Sequence, residues 1–283
     1  MPQPDRFHLA GVMGWPVMHS RSPLMHNYWM AQQNLAGVYV PLAIRPGTLE
    51  AAMRALHPLG FSGCNVTIPH KLEALRIADE VDEVARLIGA ISCMVVRDDG
   101  TLFGTNNDWR GFIGNLKETV PDWRADAGPV AVLGAGGGSR AVCYGLMQEG
   151  ATEIRLVNRT PDRARKVAED LGGPIKLLSW DERHEALDGA ATVVNTTSLG
   201  MVGQPELDIR LDRLPVTAVA ADIIYTPLET PFLARARERG NRTVNGLGML
   251  IHQGPPAWKL WFGIEPTVTA ELHRKMEESI TRG

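Results

Sequence analysis

The sequence predicts an α/β fold arranged as two domains. Three observations carry that expectation. At 283 residues the chain is longer than one ordinary hydrophobic core organises. Short β-branched runs alternate with helical patterns along nearly all of it, as in sheets covered by helices. Between an apolar run and a helical one, residues 134 to 139 form the glycine-rich turn G-A-G-G-G-S. The chain is 44% apolar and 22% charged, the balance of a globular protein.

Composition excludes several classes. A net charge of −3 and a pI near 6.2 give no field that would gather nucleic acid or an anionic membrane. Cys64, Cys93 and Cys143 form no C-x-x-C pair and leave an odd thiol, which suits a reducing compartment and makes cytoplasmic the expected location. The opening residues lack the basic and apolar regions of a secretory signal, and no run approaches the ~18 apolar residues of a membrane span. The eight histidines show no H-E-x-x-H or comparable spacing, so no metal site is expected. The basic run 235–242 reads as a solvated helix face.

Taken in order, FHLAGVMG, PLMHNYWMAQQN, VYVPLAI, GTLEAAMRAL, FSGCNVTI and KLEALRIADEV give a largely parallel sheet with helices between the strands. Asp99-Gly100 then interrupts two strand-like runs, a hairpin signal. Residues 108–120 read as a helix with Phe112, Leu116 and Val120 on one face, bridging two domains. The second series is VAVLGA, SRAVCYGLMQEG, EIRLVNR, PDRARKVAEDLG, ATVVNTTS and TAVAADIIY. The pattern alone does not say on which domain the tail beyond about Asn245 docks.

The turn Gly134, Gly136, Gly137, Gly138, Ser139 sits in a strand–turn–helix–strand context, which favours a dinucleotide over a packing loop. Gly134 permits the tight turn, Gly136 lets a pyrophosphate approach the backbone, and the helix start offers free N–H groups. The next strand ends not in Asp or Glu, which NAD favours, but in Asn158-Arg159-Thr160-Pro161-Asp162-Arg163. Thr160 suits an N-cap and Pro161 the first helical position, so Arg163 opposes the helix dipole unless an anion lies between it and Arg159. A 2′-phosphate fits, so NADP(H) is expected over NAD(H); two merely solvated arginines are the alternative.

In the first half, strand alternation turns Asn65 and Thr67 to one side and Val66 and Ile68 to the other, with Pro69 breaking the ladder ahead of Lys71. Ser20 and Ser22 can face one side beside a helix start, suiting a carboxylate; Ser22 before Pro23 equally suits an N-cap without any ligand. Asp108 opens a helix, where aspartate is commonly a cap, and Lys71 lies near another helix start.

Together the motifs HSRSPLMHN, GCNVTIPHK, GTNND, GAGGGSRAV, NRTPDR, DIIYTPLETPFL and NGLGMLIHQG, in this order from about residue 11 to 263, resemble the shikimate dehydrogenases. The resemblance implies a substrate domain at 1–107, a Rossmann domain at 108–245, and C-terminal helices, 246–283, packing back on the first. It implies reversible reduction of 3-dehydroshikimate to shikimate with NADPH. By the same resemblance Lys71 and Asp108 are the catalytic pair, Ser20 and Ser22 bind the carboxylate, and Asn65 and Thr67 contact the ring. Tyr225 and Gln253 line the substrate side, and Asn158, Arg159, Thr160 and Arg163 clamp the adenosine phosphate. Two positions depart from the family pattern: Ser92 replaces an asparagine that touches substrate, and Asn107 replaces the threonine before Asp108. These departures leave quinate or an aminoshikimate-like compound as alternative substrates. A catalytically silent nucleotide sensor is a further reading, against which both Lys71 and Asp108 are retained. Oligomeric state is not legible.

Overall fold

The β-branched runs of the first hundred residues assemble into one six-stranded sheet in a computed structural model that describes residues 7–282. Its strands are β1 (His8–Gly14), β2 (Gly37–Ala43), β3 (Phe61–Val66), β4 (Glu80–Val81), β5 (Cys93–Val96) and β6 (Leu102–Thr105), in the order β2-β1-β3-β5-β6-β4. Helices α1 (Ser22–Gln32), α2 (Leu49–Ala55), α3 (Lys71–Ile77) and α4 (Glu83–Ile88) lie between them in the chain. Three pairings are parallel and two antiparallel. The antiparallel β5–β6 pair is the hairpin signalled by Asp99-Gly100: Gly100 takes φ +85°, and the Asp99 carboxylate accepts the Thr101 N–H at 2.9 Å. Met13, Leu49, Met53, Leu56, Cys64, Val66 and Met94 belong to one buried core of this unit.

The second unit begins with α5 (Asp108–Thr119), whose Phe112 and Leu116 are buried as their spacing requires. Strands β7 (Val130–Leu133), β8 (Ile154–Asn158), β9 (Ile175–Ser179), β10 (Thr192–Asn195), β11 (Val219–Asp222) and β12 (Arg242–Val244) follow. Between them lie α6 (Gly137–Gln148), α7 (Pro161–Leu171) and α8 (Pro231–Glu238). All pairings are parallel, in the order β12-β11-β10-β7-β8-β9. From the other edge that is third, second, first, fourth, fifth, sixth, the doubly wound arrangement of dinucleotide-binding domains. Such a sheet is covered on both faces, so its central strand is apolar throughout: every residue of VAVL is buried.

By compactness the first unit runs to Asn107 and takes back Gln253–Ser279; the second comprises Asp108–His252 and the residues from Ile280. The division on the C-terminal side thus falls seven residues beyond the expected 245. Helix α9 (Leu247–His252) packs on α5, where Gly248 is required because a Cβ would meet Asn115 Oδ1 at 2.0 Å. Helices α10 (Gly254–Phe262) and α11 (Ala270–Thr281) complete the chain. Trp258 and Trp261 of α10 pack against His26 and Tyr39 in the first unit, and Trp261 Nε1–H donates to the Met94 carbonyl at 2.9 Å. Gly63 makes that approach possible: a Cβ there would lie 2.2 Å from both Met94 O and Trp261 Nε1.

The arginines of 235–242 do more than face solvent. Arg235 donates to the Leu207 carbonyl at 2.9 Å, Arg239 to the Leu214 carbonyl at 2.9 Å, and Arg237 pairs with Glu229 at 2.7 Å. They tie loops of the second unit to α8.

Candidate active site

In the first unit the polar side chains gather where β3 ends. Asn65, the penultimate residue of β3, accepts from the Tyr39 hydroxyl at 2.8 Å and donates Nδ2–H to the Ser92 carbonyl at 3.2 Å. Ser92 Oγ in turn accepts the Asn107 backbone N–H at 2.8 Å. Tyr39, Asn65, Ser92 and Asn107 are therefore one buried hydrogen-bonded chain. Lys71 is the first residue of α3, and its carbonyl accepts the Ile91 N–H at 3.0 Å, which fixes the helix start beside the residue preceding Ser92. Thr67 follows the strand, with its N–H on the Met13 carbonyl at 2.9 Å and its methyl where a Cβ on Gly14 would stand, 2.5 Å away.

The loop after β1 is joined to this strand end by the Trp15 N–H to Ile68 carbonyl bond of 3.0 Å, and it carries Ser20 and Ser22. Ser22 is not the N-cap that its place before Pro23 suggests. It is the first residue of α1, Arg21 holds the cap position, and no side chain caps the helix there. Ser20 Oγ instead accepts the Ser22 N–H at 3.3 Å, so the Ser22 hydroxyl is not consumed by capping. Gln253 holds the cap position of α10 and is half-buried.

Two residues behind this cluster are given no role by the sequence: Tyr39 lies in no motif, and His26 lies within HSRSPLMHN without being singled out. Burial pushes the Tyr39 phenol well above its ordinary pKa, reinforced by Cys64 and Cys93 and opposed by a hydrogen bond with Ser22, so it stays a neutral donor to Asn65. His26 stacks on Tyr39, with ring centroids 4.0 Å apart, and its Nδ1 accepts Trp258 Nε1–H at 2.7 Å. Burial lowers its pKa to about 3, a hydrogen bond with Asn65 acting the other way. Sequence reasoning passes over both because a histidine and a tyrosine amid apolar residues read as core. Their only signal is that a buried polar ring needs a partner.

In the second unit the glycine turn follows β7. Gly134 adopts φ +111°, a conformation that favours glycine, and a Cβ would stand 2.8 Å from Thr196 Oγ1. Gly136 is the extended residue before α6, whose first turn begins at Gly137 with no side-chain cap. A Cβ on Gly136 or Gly137 would meet nothing within 4 Å, and one on Gly138 would meet only the Ile223 side chain, at 2.8 Å. Ser139 Oγ is buried without a hydrogen-bond partner. An open cradle with uncapped N–H groups fits a pyrophosphate.

Thr160 holds the cap position of α7 and Pro161 its first turn, as expected, although the Thr160 hydroxyl makes no capping bond. Asn158 shapes the turn by donating Nδ2–H to the Thr160 carbonyl at 2.8 Å. Nearby cations are matched: Arg165 with Asp162 at 2.6 Å, Lys166 with Asp170 at 2.7 Å. Arg159 and Arg163 are both exposed and, among the described residues, neither guanidinium has an ion-pair or hydrogen-bond partner. These are groups that suit a phosphate ligand.

Asp108 is the first residue of α5 and is buried, placed where a helix start favours a carboxylate. Tyr225 follows β11 and is half-buried. The turn that carries it is braced by Asp222, which accepts from Ile224 N–H at 3.0 Å, Asn195 Nδ2 at 3.1 Å and Thr230 Oγ1 at 2.8 Å. Burial raises the Asp222 carboxyl to about 6 against those three donors.

Strand order, glycine turn and uncapped helix start define the second unit as a Rossmann-type dinucleotide-binding domain, joined in this chain to a separate α/β unit with a polar strand-end cluster. Residues 12–94 match the family model for the shikimate dehydrogenase substrate binding domain, and residues 117–202 that for shikimate / quinate 5-dehydrogenase. A shikimate dehydrogenase (NADP(+)) of Paramagnetospirillum magneticum is 52% identical over 264 residues, covering 93% of this chain and 96% of that protein. The chain belongs to the shikimate dehydrogenase family. Among solved structures it is similar to the quinate dehydrogenase from Corynebacterium glutamicum in complex with NAD, with a TM-score of 0.88, 30% identity, and coverage of 99% of this chain and 100% of the other. It is also similar to the shikimate 5-dehydrogenase from Thermus thermophilus in complex with NADP(H) and shikimate, with a TM-score of 0.84, 34% identity, and coverage of 98% and 99%.

Proposed function

We propose that this protein catalyses the reversible, NADP-dependent reduction of 3-dehydroshikimate to shikimate, the first unit serving as the substrate domain and the second as the nucleotide domain. The observation that carries this reading is the buried Tyr39–Asn65–Ser92–Asn107 chain next to the helix start at Lys71. NADPH, held by Gly134 to Ser139 at its pyrophosphate and by Asn158, Arg159, Thr160 and Arg163 at its adenosine phosphate, supplies the hydride. Lys71 gives a proton to the carbonyl oxygen as it becomes a hydroxyl, and its neutral form takes that proton back in the other direction. Asp108 orients the lysine. Its place in the chain supports this: it directly follows Asn107, whose N–H is fixed on Ser92. Ser20 and Ser22 bind the ring carboxylate, Asn65 and Thr67 the ring hydroxyls, and Tyr225 and Gln253 complete the substrate lining. The partner is thus a small carboxylate rather than nucleic acid. No helix among the described residues is long and apolar enough to cross a membrane, and the three free, buried cysteines suit our placement in the cytoplasm.

Quinate is the second reading, favoured by Ser92 and by the likeness to a quinate dehydrogenase structure. Initial rates with shikimate, quinate and aminoshikimate, each with NADP and NAD, separate the two. Shikimate with NADP should be fastest; faster turnover of quinate removes the first choice, and no nicotinamide reduction with any pair removes the enzyme. Lys71→Ala should lower kcat by at least about 10²-fold while changing substrate affinity far less. Near-normal turnover in that variant would assign the proton transfer elsewhere.

A further inference from the structure

The two departures from the family pattern, Ser92 and Asn107, touch each other. Residues 105–107 are zipped onto 90–92: the Ser92 N–H donates to the Thr105 carbonyl at 3.0 Å, Asn106 Nδ2–H to the Ala90 carbonyl at 2.9 Å, and the Asn107 N–H to Ser92 Oγ at 2.8 Å. Ser92 is 2% exposed and Asn107 4% exposed. Within this tightly bonded segment one donor is left over: Asn107 Nδ2 is buried and has no hydrogen-bond partner. A buried amide donor left unsatisfied costs free energy that folded interiors rarely tolerate, so such an orphan points to a partner that arrives from outside the chain. It stands at the end of the Tyr39–Asn65–Ser92 chain and one residue before Asp108.

We propose that Asn107 is a substrate-binding, specificity-determining residue whose Nδ2–H donates to a ring oxygen of the substrate, so that Ser92 and Asn107 together replace a single asparagine at position 92. The inference rests on the functional reading above. Serine at 92 is shorter than asparagine and carries a hydroxyl in place of the amide, and its oxygen already accepts from the Asn107 backbone. That same bond fixes the backbone from which the Asn107 amide projects. The exchange moves the amide from one side of the Ser92–Asn107 contact to the other and keeps a donor in the cluster.

The test uses Asn107→Ala, Asn107→Thr, Ser92→Asn and the double variant Ser92→Asn/Asn107→Thr. Shikimate affinity is measured by calorimetry on each, KM and kcat for shikimate and quinate by steady-state rates, and melting temperature without ligand. Asn107→Ala and Asn107→Thr should each weaken shikimate binding and raise its KM about tenfold, with kcat within about threefold. Neither should lower the melting temperature, because an unsatisfied donor is being removed. Ser92→Asn alone should also bind more weakly, since it removes the acceptor for the Asn107 N–H, and the double variant should recover to within about threefold of the unaltered protein. Unchanged affinity in both Asn107 variants overturns the proposal. So does a lowered melting temperature with unchanged affinity, the mark of an internal water as the only partner, or a double variant no better than the weaker single one. Calorimetric affinity decides the role of Asn107 and turnover decides the reaction: binding without turnover in the unaltered protein overturns only the functional reading. No binding of shikimate at all overturns both.

Discussion

The histidine behind the substrate cluster makes the first unit sensitive to acid, and the size of the effect follows from its surroundings. His26 is 1% exposed, lies flat on Tyr39, and accepts Trp258 Nε1–H at Nδ1, so a proton added there would face a donor in a buried site. Burial accordingly lowers its pKa to about 3. In the unfolded chain the same ring takes up a proton near pH 6.5. Between these two values the unfolded state binds more protons, so stability is complete above about pH 6.5 and falls with decreasing pH, by roughly 1.4 kcal/mol per unit. At pH 5.0 the loss is about 2 kcal/mol. Asp222 works in the opposite sense. Its folded carboxyl, raised to about 6, holds a proton that the unfolded chain releases until near pH 4, so its contribution grows as pH falls through 6. A raw stability profile mixes the two, but a difference between variants does not. His26→Gln keeps an acceptor for Trp258 and does not titrate. Urea unfolding, followed by tryptophan fluorescence, to which the buried Trp29, Trp258 and Trp261 of the same unit contribute, should show the unaltered protein losing about 2 kcal/mol more than the variant between pH 7.5 and 5.0. That corresponds to about 1 M in the midpoint. Equal losses in the two proteins would refute the reasoning.

Two further substitutions probe the remaining parts. Arg159→Ala should raise KM for NADP at least about tenfold while leaving that for NAD nearly unchanged, because only the former offers a 2′-phosphate to the guanidinium; equal changes for both cofactors defeat that assignment. Gly63→Ala should destabilise the protein by about 3 kcal/mol or more, because the added methyl displaces Trp261 from the Met94 carbonyl. A melting temperature matching that of the unaltered protein would show that α10 can shift at little cost.

What was legible in the sequence was what repeats or punctuates. The runs of Val, Ile and Leu announced the strands, Asp99-Gly100 the hairpin, and Pro161 and Pro23 two helix starts to within a residue. The chemistry of the caps was not legible. Ser22 lies one position inside its helix and Thr160 caps without its hydroxyl, because a proline fixes where a helix starts but not which rotamer the preceding side chain adopts. Asn65, Ser92 and Lys71 could be singled out along the chain, but only pairing of β3 with β5 makes them neighbours. The roles of His26, Tyr39 and Asp222 were not legible, although His26 and Asp222 lie inside the motifs HSRSPLMHN and DIIYTPLETPFL: their partners come largely from parts of the chain that only folding brings together. The arginines of 235–242 show the same limit, since a basic run does not reveal which carbonyls lie within its reach.

Trp261 at the back of β3 imposes an order on synthesis. Apart from the few residues from Ile280, the second unit occupies one stretch, Asp108–His252, and nearly all of it has left the ribosome before α10 is made, whereas the first emerges earlier yet lacks α10 until some hundred and fifty residues later. A nascent chain that stops near residue 252 therefore carries a nearly complete nucleotide domain and an unfinished first unit, whose Tyr39 and His26 rings are still without their indole cover. The half made first is the half completed last, and chaperones that hold exposed aromatic surface have that interval in which to act.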